Sequence, residues 1–227
     1  PVLREAQWDA AQSIDNVYAI CTIDCGEYDN IHPLDKRTPG ERLANCALRQ
    51  IYGMDRVPVH GPTVLGFRCD PNGRVRLFFR YAHGLHFEGT TPGGGDDDFD
   101  GQLPTLVRVP ERSGFELAGS DGMFHPATAA IFVDCDIDDL VNSRVNVVDY
   151  NATEFGIPIN SRSIGTITLA TPDVPEPMAM RYAWRSWGPA PLFNDDGLPA
   201  QPFRLDLIDH TAPVESAEPV TPDGTAD

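Results

Sequence analysis

Asp29-Asn30-Ile31-His32 sets a carboxylate three residues ahead of an imidazole. In a loop, that spacing lets the chain fold the aspartate back onto the histidine. The carboxylate then accepts the Nδ1 proton, fixes the tautomer, and stabilises the imidazolium formed when Nε2 takes a proton from a nucleophile. This is general-base chemistry by His32, with Asp29 orienting it. Pro33 restricts the backbone directly after the histidine. By itself Asp-x-x-His is a short pattern that also arises in loops where the histidine is structural or merely solvated, so the flanking elements must decide.

Those elements are legible on both sides. Leu3-Arg4-Glu5-Ala6-Gln7-Trp8 predicts the last turn or two of a helix. Val17-Tyr18-Ala19-Ile20-Cys21-Thr22-Ile23 is a nearly continuous apolar and β-branched run. Such a run predicts a strand buried on both faces, as in a parallel sheet covered by helices. It ends in the turn-like Asp24-Cys25-Gly26-Glu27. After the loop, Thr38, Pro39 and Glu41 read as a capping box with proline at the first helical position. Leu43, Ala47 and Ile51 recur at i, i+4 and i+8 with Ala44 and Leu48 beside them, which predicts an apolar helix face. Gly53 fits a left-handed helix cap. Strand, polar loop and amphipathic helix read as the closing unit of an α/β domain whose earlier units are absent. Catalytic groups of such sheets sit beyond the carboxyl ends of the strands, which is where His32 falls.

From about residue 55 the texture changes to short β-like runs. They cover Thr63–Cys69, Arg74–Tyr81, Leu106–Val109, Gly114–Ala118, Ala129–Cys135, Arg144–Val148 and Thr166–Ala170, nearly all separated by glycine, proline or aspartate. Arg74-Val75-Arg76-Leu77 alternates before the apolar pair Phe78-Phe79, as in a strand with one wet face. Many short strands with turn signals predict a β-sandwich or jelly roll. From residue 211 the chain is rich in Pro, Glu and Asp with little to bury, which predicts a disordered tail. The expected organisation is therefore 1–54, 55–210 and 211–227.

The formal net charge of -17 over 227 residues excludes a nucleic-acid partner, because no Lys/Arg cluster offsets the repulsion of a phosphate backbone. Anionic membrane surfaces are poor partners for the same reason, and no run of about 18 apolar residues forms a spanning helix. Cys21, Cys25, Cys46, Cys69 and Cys135 match neither a disulfide framework nor zinc spacing. They read as small buried hydrophobes, with one disulfide open if the protein is exported. The chain opens on Pro1 with no initiator Met, so the expectation is a processed product or a fragment.

The match to a known family extends well beyond the loop. Leu3-Arg4-Glu5-Ala6-Gln7, Ile31-His32-Pro33-Leu34-Asp35-Lys36, Gly40-x-Arg42-Leu43-Ala44 and Ala47-Leu48 resemble the end of the catalytic domain of the sialate O-acetylesterase family, within the SGNH hydrolase superfamily. Further matches follow in order through Gly61-Pro62, Gly114–Gly119, Asp121-Gly122-x-Phe124-x-Pro126-Ala127, Arg181–Trp184, Leu192-Phe193-Asn194 and Gly197–Asp206. The resemblance implies an α/β plus all-β chain: the strand-loop-helix end of an SGNH-type hydrolase domain, then a β-sandwich or jelly-roll-like domain. It implies hydrolysis of O-acetyl esters on sialic acids or acetylated polysaccharides, with His32 as general base and Asp29 orienting it. It implies no cofactor and no metal. The family's nucleophilic serine and oxyanion groups fall upstream of Pro1, so a missing N-terminal catalytic segment or chain is the expected partner. Ser120, after Gly119, matches a noncatalytic position. An exported, periplasmic or lysosomal location also follows from the resemblance alone.

Other residues carry competing readings. Asp96, Asp98, Asp100 and Gly101 reproduce the start of a calcium loop, but Val107 stands where its bidentate glutamate belongs. A solvated loop is the alternative for this stretch, and the segment around Asp149–Ile164 is longer than the family pattern requires. His83 and His86 lack a third metal ligand nearby. Trp184 and Trp187 could form a sugar platform, with Trp184 the better core candidate. Asn151-Ala152-Thr153 is a glycosylation sequon if the protein is secreted. Against the ester hydrolase stand a non-catalytic carbohydrate-binding or structural β-sandwich and a calcium-stabilised adhesion module.

Overall fold

The alternating and apolar runs of the β-rich part need partners for their backbone groups, and they find them in antiparallel ladders. The computed structural model describes residues 1–88, 106–132, 145–147 and 164–208. Twelve described strands form three antiparallel sheets. The largest has six strands in the order β4-β7-β9-β2-β1-β8. These are β1 (Thr63–Cys69), β2 (Val75–Arg80), β4 (Leu106–Val107), β7 (Thr128–Phe132), β8 (Asn146–Val147) and β9 (Gly165–Ala170). A four-stranded sheet runs β12-β10-β5-β6, built from β5 (Phe115–Ala118), β6 (Phe124–Pro126), β10 (Ala179–Tyr182) and β12 (Phe203–Asp206). β3 (His86–Phe87) pairs with β11 (Leu192–Phe193) as a third, short sheet.

The two larger sheets share one core. Phe67, Leu77, Phe79 and Ile167 from the first meet Phe115, Leu117, Met180 and Tyr182 from the second. Phe203 bridges them, with its ring 6.0 Å from Phe79 and 5.6 Å from Tyr182. The Tyr182 hydroxyl accepts the Leu192 N–H at 2.9 Å, so this buried phenol is not left unpaired. In β2 the wet-face reading holds: Val75, Leu77, Phe78 and Phe79 are buried while Arg76 and Arg80 are partly exposed. Phe78 points to the far side, into a small cluster with Leu65 and Ile164. The β1–β2 hairpin turns at Gly73 with φ +77°, where a Cβ would lie 2.3 Å from the Pro175 carbonyl oxygen.

Two helices precede this body: α1 (Val2–Ser13) and α2 (Arg37–Gln50). Three expectations for the first 54 residues need correction. Val17–Ile23 forms no strand, and Val17 and Tyr18 are exposed. A strand requires a neighbour for its N–H and C=O groups, and none lies beside this segment among the described residues. Thr38 does not cap α2; the helix starts at Arg37, and the Asp35 carboxylate accepts the Arg37 and Thr38 N–H groups at 3.0 Å each. A carboxylate there also suits the positive end of the helix dipole. Glu41 is diverted into an exposed pair with Arg37.

The third correction concerns the inward face of α2. Arg42 and Cys46 are buried, whereas Leu43 is 59% and Ile51 68% exposed. The Arg42 guanidinium turns inward onto the Asp24 carboxylate, and the apolar stripe lies on the outward side of the helix. Gly53 does adopt a left-handed conformation, with φ +70°. The aspartate-rich stretch 90–102, the sequon at Asn151, Cys135 and the tail from 211 lie outside the described residues.

Candidate functional site

Asp29 and His32 sit together in a short exposed loop between Cys25 and α2. Its shape is set by two side chains. The Glu27 carboxylate accepts the Asn30 side-chain amide at 2.8 Å through Oε2 and the Leu34 N–H at 2.6 Å through Oε1. The Asn30 side-chain oxygen in turn accepts the His32 N–H at 2.9 Å. These bonds, the Leu34 N–H first, hold the Glu27 carboxyl below its usual range. Asp35 then anchors the loop to the start of α2, and its carboxyl is lowered by the hydroxyl and N–H of Thr38. The loop is thus a small closed frame that presents His32 outward.

Within this frame Asp29 and His32 are both exposed, and no hydrogen bond or ion pair joins their side chains among the described residues. The structure brings the two residues into one loop without forming the bond that general-base chemistry needs. Ser120 lies in the turn between β5 and β6 and is exposed, and among the described residues it makes no hydrogen bond to His32.

The sequence reading did not assign a role to Arg42, which ties this loop to the rest of the molecule. Arg42 Nη1 donates to Asp24 Oδ1 at 2.6 Å and Nη2 to Asp24 Oδ2 at 2.7 Å, a bidentate pair. Nη1 also donates to the Cys21 carbonyl at 2.8 Å, and Nη2 to the Gly197 carbonyl at 3.2 Å. One side chain of α2 therefore holds the segment leading into the loop and the β-rich body together. Arg42 stands in the matched Gly40-x-Arg42-Leu43-Ala44, so its presence was legible although its role was not. Beside the pair, burial pushes the Cys25 thiol up to about 11, with the Asp24 charge adding to the effect. Burial also pushes Cys21 up to about 12. These are poor nucleophiles at neutral pH. Cys21, Cys25 and Cys46 carry free thiols.

A cleft of about 850 Å³ is lined by Trp8 of α1, the 17–24 segment, Gly26 and the Arg185–Gly188 turn, and neither Asp29 nor His32 is among its lining residues. Tyr28 of the loop packs edge to face on Trp187, with centroids 5.8 Å apart. Trp187 is exposed, and Trp184 is half-buried beneath the Arg204 guanidinium rather than in the core. Arg204 also makes a bidentate pair with Glu5 of α1, which fixes that helix to β12. His83 and His86 have separate partners: His83 lies 3.7 Å from Asp195, and His86 bonds the Gly84 carbonyl and Glu88. Among the described residues no group of three or more His, Cys, Asp or Glu is placed to hold a metal ion.

No protein-family model matches the sequence, and no curated protein matches it. The fold is similar to the crystal structure of a carbohydrate acetylesterase from Xanthomonas citri. The two are 27% identical, with a TM-score of 0.58 over 90% of this chain. The match takes up 36% of that protein's chain, so the present chain spans about a third of its length.

Proposed function

We propose that this chain is part of a carbohydrate O-acetylesterase and contributes the His32 and Asp29 half of its active site. The observation that carries the reading is the likeness to a carbohydrate acetylesterase at 27% identity over 90% of the chain. The exposed, internally braced loop around His32 supports it, because a general base must reach its substrate. In this reading a serine hydroxyl attacks the acetyl carbonyl carbon, and His32 Nε2 takes the serine proton. The tetrahedral intermediate collapses with return of that proton to the departing sugar oxygen. Water, deprotonated by His32, then cleaves the acetyl-enzyme to acetate and free serine. Asp29 accepts a hydrogen bond from the His32 Nδ1–H in the assembled site and so orients the ring. The serine comes from an α/β body of SGNH type outside this chain, and the β-rich part is its sandwich or jelly-roll-like companion. Acetylated polysaccharides or sialic acids are the substrate classes, in an exported, periplasmic or lysosomal setting.

A second reading is a non-catalytic carbohydrate-binding module. The missing Asp29–His32 bond and the exposed Trp187–Tyr28 pair favour it. Acetate release from acetylated xylan separates the two. The protein encoded by the intact gene should release acetate, and His32→Ala should lower kcat by about 10³-fold or more without changing its melting temperature. Residues 1–227 alone should release none. An unchanged rate in the variant, or release by the 227-residue chain, would overturn the assignment.

A further inference from the structure

The turn from Ala183 to Pro191 joins β10 to β11, and its backbone is pinned at both ends. Ala183 stands at φ +48°, the left-handed region that a residue with a Cβ keeps only when its surroundings hold it there. Its N–H donates to the Gly114 carbonyl at 2.8 Å, and the Pro191 carbonyl accepts the Glu88 N–H at 2.6 Å. Arg185 Nη2 donates to Glu116 Oε1 at 2.7 Å, which ties the middle of the turn to β5. Gly114 packs so closely against the turn that a Cβ there would lie 2.8 Å from the Pro189 carbonyl oxygen. Backbone strain held in place by its surroundings concentrates at ligand-binding segments.

What this turn presents is Trp187. Among the described residues from 55 to 208 it is the one exposed Phe, Tyr or Trp, at 39%. Its ring is nonetheless seated. Tyr28 meets it edge to face, with centroids 5.8 Å apart, and Gly26 leaves it room, since a Cβ there would lie 3.3 Å from Trp187 Cζ3. Gly26 and Tyr28 lead directly into the loop that carries Asp29 and His32. A held indole with open surface suits a pyranose ring, whose apolar C–H face carries slight positive charge that the negative π face attracts. Arg185, Ser186 and Gln201 line the same cleft and supply polar partners for ring hydroxyls. His32 is not among the residues lining that cleft, so a sugar on Trp187 is a different unit from the one whose acetyl group meets His32.

We propose that, within the esterase reading on which this rests, Trp187 is a specificity-determining residue that stacks a sugar unit adjoining the acetylated one. The substrate is then an acetylated polysaccharide rather than a free sialic acid, because a single sugar has no second unit to place on the ring. Contact made so far from the reacting ester holds the polymer equally in the ground and transition states. Its loss is therefore read in KM and not in kcat.

Kinetics of the polypeptide encoded by the intact gene test this on acetylated xylan and on 4-nitrophenyl acetate, which has no sugar. Trp187→Ala should raise KM for acetylated xylan about 10-fold, with kcat within about twofold, and leave kcat/KM for 4-nitrophenyl acetate unchanged. Trp187→Phe should recover most of the lost affinity. Equal losses on both esters would make Trp187 a brace for the His32 loop, and no loss on either would leave it without a role; both results overturn the proposal. So would a loss on O-acetylated N-acetylneuraminic acid as large as that on xylan. Affinity electrophoresis in gels containing acetylated xylan reads the sugar contact without turnover. The His32→Ala protein should be retarded, and the His32→Ala, Trp187→Ala protein should run as in a plain gel; equal mobility of the two overturns the contact. A polypeptide that hydrolyses neither ester but shows this difference removes the esterase reading and keeps the sugar contact. Hydrolysis of both esters without any dependence on Trp187 does the reverse.

Discussion

His60 stacks on Tyr81 with ring centroids 4.6 Å apart, and burial there, with Arg49 and Arg80 nearby, lowers its pKa to about 4. An unfolded chain returns that imidazole to about 6.5. Between these values the unfolded state binds the extra proton, so stability rises with pH and is lost as pH falls from about 6.5 toward 4. The span corresponds to about 3 kcal/mol. Glu116 acts in the same direction at lower pH: burial opposes its charge, but Arg181 and Arg185 hold its carboxyl below the usual range. Thermal melts of the wild type should therefore drop steadily over pH 6.5 to 4. In His60→Phe, which keeps a stacking ring, that slope should flatten, and an unchanged slope would remove His60 as its source. None of this was legible in the sequence, because His60 has no partner within its own motif. Asp29 and His32 could be picked out by type and spacing. Glu27 and Asn30, which shape their loop, look like ordinary turn residues until their hydrogen bonds are seen.

At the scale of elements, α2 illustrates what periodicity conveys and what it misses. The stripe Leu43–Ala47–Ile51 predicted a helix over the right residues, and the helix is there at Arg37–Gln50. Periodicity cannot say which partner the stripe meets, and here the inward face is chosen by Arg42 and its bidentate Asp24. Likewise the cap came from Asp35, one turn of reasoning away from the Thr38–Glu41 pattern, because the loop delivers its carboxylate to the free N–H groups. β10 and β12 were missed for a different reason. Met178–Tyr182 has few β-branched residues, and its strand identity comes from pairing with β5 and β12 on either side. Arg42 is the element-level tether, so its loss should be felt in two places. Arg42→Met keeps the stem but removes the bonds to Asp24 and to the Cys21 and Gly197 carbonyls, and because water reaches Asp24 the loss should cost about 1 kcal/mol. Chemical denaturation would measure that cost. Exchange of the loop amides at His32 and Leu34 should also accelerate, and a variant with wild-type stability and exchange would show that the pair holds nothing.

The whole molecule divides its interior unequally, and this decides how it should come apart. Every buried member of the main core cluster lies between Phe67 and Leu207, and Ile23 is the one residue from the first 54 packed against it. What joins that first stretch to the β-rich body is mostly polar: Arg42 to the Gly197 carbonyl, Glu5 to Arg204, and Arg4 to the Arg185 carbonyl. Exposed ion pairs of the Glu5–Arg204 kind contribute little to stability. Removing residues 1–54 should therefore leave a chain of 55–227 that still unfolds cooperatively, with its melting temperature lowered by only a few degrees. The isolated 1–54 segment should give the circular dichroism of a largely unfolded peptide, since helices of this length without a buried face are marginal in water. Calorimetry of 55–227 decides the matter. A single transition places the boundary near residue 54. A broad, non-cooperative melt would mean that the two sheets need α1 and α2 to fold, and the division drawn here would fail.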